Sequence, residues 1–151
     1  MKNATGIAVI TCCFLIYGCA SDESNPQSKI INPNGDSKLA LLMREMHDDG
    51  MLTKQQILKG QTPEVKCDYQ SMYTIEATEP EKVASVDYKL FGKAYEASVA
   101  ALLASEEENR ASAYQTMVGA CMNCHQAMCP GPMVKIKKMY LSEEQIAVLE
   151  N

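Results

Sequence analysis

Apolar side chains recur at intervals of three and four through most of this chain, and helix-start and helix-stop residues bound the runs they make. That periodicity gathers the apolar groups of a segment on one face of a helix, whereas a strand would need strict alternation. The first run carries Leu39, Leu42, Met43, Met46, Thr53 and Ile57. Asp36 or Ser37 can cap it so that it begins at Lys38, Gly50 interrupts it midway, and Gly60 sits where it would stop. Thr62-Pro63-Glu64 predicts a second helix with proline at its first position, running to Ala77 with Val65, Tyr69, Met72 and Tyr73 along one side. Thr78-x-x-Glu81 predicts a third, carrying Val83, Val86, Leu90, Phe91, Tyr95, Val99, Leu102 and Leu103. Ser105-x-x-Glu108 predicts a fourth with Tyr114, Met117, Val118, Cys121 and Cys124, ended by Pro130 and Pro132.

The connections between these segments are short, so neighbours should run in opposite directions. The expected fold is therefore all-α, an antiparallel four-helix bundle over residues 37–140. A tail over 141–151 follows, with a short helix capped by Ser142-x-x-Gln145. The chain has 151 residues, 46% hydrophobic and 22% charged, which suits one packed domain rather than several or a disordered chain. Its net charge of −5 argues against a nucleic-acid partner, which asks for a basic face.

The N-terminus has a different character. Lys2 precedes an apolar stretch from Gly6 to Tyr17, too short to span a bilayer comfortably, and the small residue Gly18 precedes Cys19. Such an order is that of an export signal. The run Ile16-Tyr17-Gly18-Cys19 resembles the lipobox of bacterial lipoproteins, which implies a signal peptide over 1–18 and lipidation of Cys19. Residues 19–36 are polar, with Pro26, Pro33 and Gly35, and read as a flexible tether. Ala20 in place of aspartate implies, by the same resemblance, the periplasmic side of the outer membrane, while Asp22-Glu23 leaves surface exposure open. Cys12 and Cys13 would be discarded, leaving Cys19, Cys67, Cys121, Cys124 and Cys129 in a compartment where thiols tend to oxidise.

Cys121-Met122-Asn123-Cys124-His125 carries the chemistry. Cys-x-x-Cys-His is the attachment signature of c-type haem: two thiols add across the haem vinyl groups, and the next residue offers an imidazole to the iron. Such maturation takes place outside the cytoplasm, in agreement with the export signal. Zinc is an alternative, because Cys129 could join Cys121, Cys124 and His125 to make four ligands. A thioredoxin-like pair would need a strand-to-helix setting that is missing here.

The motif closes the fourth helix, late in the chain. In this it resembles the class II c-type cytochromes, the group of cytochrome c-prime and its six-coordinate, low-spin relatives. The resemblance spans residues 37–128 in helix order, with the haem motif its one specific part. It implies a monohaem electron carrier, not an enzyme, with covalent haem on Cys121 and Cys124 and His125 as axial ligand. After His125 the chain departs from the family pattern and continues through Cys129-Pro130-Gly131-Pro132 and a basic stretch.

In an antiparallel bundle the end of helix four lies beside the start of helix one, so the opposite ligand should come from there. Met43 lies about 9–10 Å along that helix, Met46 one turn further, and His47 beside it. Met43 is the expected ligand, Met46 the alternative, and His47 a third candidate. The six-coordinate relatives imply a methionine at this place. Without such a ligand the iron would stay open, and the protein would be a gas-binding cytochrome of the c-prime kind. Lys135, Lys137 and Lys138 are the basic cluster nearest the motif. They could face haem propionates or an acidic redox partner, or simply solvent. Arg44 and Arg110 are further propionate candidates. Cys67 is expected at the end of the bundle remote from the haem, too far from Cys129 for a disulfide. The expected partners are redox proteins and, through the lipid, the membrane; a homodimer stays open.

Overall fold

The computed structural model describes residues 36–149, so the expected signal peptide, Cys19 and nearly all of the expected tether lie outside the described residues. Every regular element among them is helical. The order is α1 (Lys38–Leu58), a 3-10 turn (Tyr69–Tyr73), α2 (Pro80–Ala84), α3 (Val86–Leu103), a second 3-10 turn (Glu107–Asn109), α4 (Arg110–Met128), α5 (Met133–Lys137) and α6 (Glu143–Leu149). Among the described residues no helix is long and apolar enough to cross a membrane.

α1 begins where its cap predicts. The Ser37 side chain accepts from the Ala40 amide at 3.3 Å, and Gly60 follows the helix end with φ +67°. Gly50, in mid-helix, faces the C-terminal part of the chain. A Cβ placed there would stand 2.5 Å from the terminal methyl of Met139, so the missing side chain lets that residue seat against α1.

The expected second helix does not form. Residues 61–68 hold no helix, and only the single 3-10 turn Tyr69–Tyr73 follows. The reason lies on α1. The buried carboxylate of Asp49 accepts the amides of Lys66 at 2.8 Å and Cys67 at 3.3 Å, and Thr53 donates its hydroxyl to the Glu64 carbonyl at 3.2 Å. These contacts satisfy the backbone in a non-helical path, and a segment with Val65, Tyr69, Tyr73, Thr74 and Ile75 has little propensity to resist it.

The third helix is split at Ser85, whose extended backbone ends α2 and whose hydroxyl caps α3 through the Tyr88 amide at 3.2 Å. α3 and α4 share the most extensive helix contact, and α5 packs on α4. Val99, Leu102, Tyr114, Met117 and Val118 are fully buried between them, joined by Leu42, Met46 and Ile57 of α1.

The segment after α4 is tied down by polar side chains reaching out of the long helices. The buried Tyr114 hydroxyl lies 3.0 Å from the Met139 carbonyl and 3.1 Å from that of Gly50. Gln115 and Leu141 exchange two hydrogen bonds, and the buried Lys54 ammonium donates to the carbonyls of Lys138 at 3.3 Å and Tyr140 at 2.5 Å. These bonds hold Ile136, Met139 and Leu141 in the core.

Candidate cofactor site

α4 positions the motif. Cys121, Cys124 and His125 stand three and four residues apart, so they share one face of the helix. That face opens into a pocket together with Met43, Met46 and His47 of α1, Met72 of the first 3-10 turn, Tyr88, Phe91, Gly92 and Tyr95 of α3, and Ile136 and Met139 from the C-terminal segment. The end of α4 therefore shares this pocket with residues 88–95 of α3 and residues 43–47 of α1. Met43, Met46 and His47 all reach the pocket.

The walls are apolar, sulfur-rich and aromatic. Tyr69 and Tyr95 meet edge to face at 5.6 Å, and so do Tyr73 and Tyr88 at 6.4 Å. The Tyr88 hydroxyl donates to the Met72 carbonyl at 3.1 Å. The cleft holds about 580 Å³ of space between atoms, open solvent included, but only about 60 Å³ of it takes the centre of a water-sized molecule. A macrocycle would enter only if wall side chains moved, and methionine is the most adaptable side chain among them.

The electrostatics follow from burial. Burial pushes the Cys121 thiol up to about 12, with Cys124 adding to the shift. Cys124 is also raised, by burial first and then by Cys129. Both thiols thus stay protonated at neutral pH. Burial pushes the Tyr88 phenol up to about 12, helped by Cys124, and raises that of Tyr95, helped by Cys121 and Cys67.

The two imidazoles are oriented. His125 Nδ1 lies 3.0 Å from the carbonyl oxygen of Cys129, and His47 Nδ1 lies 3.0 Å from Asp48 Oδ1. A carbonyl can only accept, so the His125 proton sits on Nδ1 and leaves the Nε2 lone pair free. Metal-ligating histidines characteristically give their second ring proton to such an acceptor.

The donor set is one that suits a c-type haem: two unpaired thiols and an oriented imidazole on one helix face, with thioether and imidazole donors of another helix lining the same pocket. For the zinc alternative, Cys129 would have to join Cys121, Cys124 and His125; it is exposed and lies outside the pocket lining.

The expected place of Cys67 needs correction. Cys67 is not remote from the site; it is buried beside Asp49, close enough to shift Tyr95 in the pocket wall, because the second helix is replaced by an inward-folded segment. Cys67, Cys121, Cys124 and Cys129 all have free thiols. Arg44 is engaged with both carboxylate oxygens of Asp36, at 2.5 and 2.8 Å. Arg110 starts α4, about 16 Å of helix rise from Cys121, and is no neighbour of the pocket. Lys135, Lys137 and Lys138 are exposed around Ile136, the residue of that stretch that turns into the wall. Met72 and Met139 were not foreseen as pocket residues; nothing local in their sequence marks them. No protein-family model, no curated protein and no solved structure matches this chain.

Proposed function

We propose that this chain is a monohaem c-type cytochrome that carries single electrons between redox partners in the bacterial cell envelope. The observation that carries the reading is the convergence of Cys121, Cys124 and His125 on one apolar pocket, with His125 Nδ1 tied to the Cys129 carbonyl. When bound, haem supplies a centre that takes up and releases one electron. Cys121 and Cys124 would hold it by thioethers and His125 would offer its imidazole to the iron. Met43, with Met46 and His47 as alternatives, lines the same pocket from α1 and would be the candidate for the second ligand. The Tyr, Phe and Met walls keep water from the ring, and burial of the site lowers the solvent rearrangement that accompanies a change of charge.

On this reading the class II resemblance extends to the arrangement. α1, α3 and α4 serve as three helices of an antiparallel bundle, and the chain around Tyr69–Tyr73 takes the place of the remaining one. The lipobox-like run ending at Cys19 is the proposed lipid anchor, placing the domain at the periplasmic side of the outer membrane, with surface exposure the alternative. Redox proteins and the membrane are the proposed partners, and no catalytic residue set is proposed.

The test is expression of the full chain with a cytochrome c maturation system. Haem that survives denaturation and adds to the mass of the polypeptide is the expected result. A low-spin spectrum supports electron transfer; a high-spin spectrum with rapid carbon monoxide binding turns the reading to the gas-binding alternative. A chain without covalent haem that retains zinc overturns both.

A further inference from the structure

The chain has two histidines, 78 positions apart in sequence, and both line the same pocket from different helices. Each is tied back through Nδ1 to an oxygen acceptor at 3.0 Å, His125 to the Cys129 carbonyl and His47 to the Asp48 carboxylate. Among the described residues neither Nε2 has a hydrogen-bond partner. Backbone carbonyls and carboxylates are the two protein acceptors that characteristically orient a metal-bound imidazole, and each ring has one of them.

The methionines of α1 are placed differently. Met46 is buried in the hydrophobic core and Met43 packs against it, so their thioethers already fill apolar space. The His47 side chain is 28% exposed and its Nδ1 is already held by Asp48 at 3.0 Å, so its ring is oriented at the pocket before any ligand arrives.

We infer that His47, rather than Met43, supplies the second axial nitrogen, giving the haem iron two imidazoles. This rests on the haem reading and deepens it. Methionine opposite histidine raises the potential of a c-type haem, so replacing it with imidazole makes this protein a carrier at the low-potential end. Its partners would then be reductants strong enough to load it. With both axial positions filled by nitrogen, carbon monoxide has no open coordination site.

The experiment uses the full chain carrying covalent haem. The unmodified protein should be low-spin in both oxidation states, and its reduced form should lack the strongly upfield-shifted methyl proton resonance of an iron-bound methionine. His47→Ala should become high-spin and bind carbon monoxide rapidly, and added imidazole should restore the low-spin spectrum. His47→Met should stay low-spin and gain the upfield methyl resonance, with a higher midpoint potential. An upfield methyl in the unmodified protein overturns the inference, whether or not any variant folds. So does conversion to high spin in Met43→Ala while His47→Ala stays low-spin; the haem reading survives both results. A chain without covalent haem overturns the two together.

Discussion

Tyr73 lies so close to Gly92 that a Cβ on that glycine would stand 2.5 Å from the phenol oxygen and 2.6 to 2.8 Å from two ring carbons. The ring is rigid, so it cannot give way as a methionine methyl can. Gly92→Ala should therefore displace Tyr73 from α3 and disturb its edge-to-face contact with Tyr88. The overpacking should cost about 1–3 kcal/mol, against a gain of about 1 kcal/mol from alanine's better helix propensity. A fall in the urea midpoint at unchanged slope checks it; a rise would mean that the ring relaxes freely.

The Tyr114 hydroxyl is buried and serves the Met139 carbonyl. Tyr114→Phe should leave that acceptor without its partner, at a cost of about 1–3 kcal/mol. The loss should appear as a lower thermal midpoint and as earlier proteolysis within residues 130–142. Equal proteolysis of both proteins would show that Lys54 and Gln115 suffice to hold the segment.

Alkaline pH should weaken the fold through Cys67. Burial, then Asp49, raises its folded thiol from the ordinary value of 9.0 to about 12. A raised folded value means that the unfolded chain loses its proton first. The stabilisation is thus fully present below pH 9 and is lost as pH climbs through that window toward 12. Cys67→Ala should flatten the decline in urea midpoint above pH 9, while Tyr88, raised to about 12 from 10.0, keeps the upper part of the slope. An identical pH profile in both proteins would remove Cys67 as the cause.

Cys121→Ser and Cys124→Ser should each leave a single thioether, and the double variant should carry no haem after denaturation. Intact mass and in-gel haem staining check both. Cys129→Ser should keep full attachment, since Cys129 lies outside the pocket lining. Loss of haem in that variant alone would give Cys129 a part in attachment.

What could be read from the sequence was what is local. The Ser37 cap, the stop at Gly60 and the Ser142–Gln145 box each depend on atoms within four residues, and all three form. The box expected at Ser105 does not, because its hydroxyl turns back to the Leu102 carbonyl at 2.6 Å and a 3-10 turn follows. The helix expected over 62–77 is lost to Asp49, whose carboxylate takes two backbone amides 17 and 18 residues away. The site divides in the same manner. Cys121, Cys124 and His125 are visible as a spacing, and Met43, Met46 and His47 follow from helix rise. Met72 and Met139 reach the pocket only through long-range hydrogen bonds that no periodicity encodes.

The C-terminal wall has a consequence in time. Ile136 and Met139 follow the attachment cysteines in chain order, and they are fixed by Lys54, Tyr114 and Gln115 only once residues 138–141 have been made. Until residues 138–141 are in place the pocket lacks that wall, so a growing chain presents it open on a side that the finished fold covers.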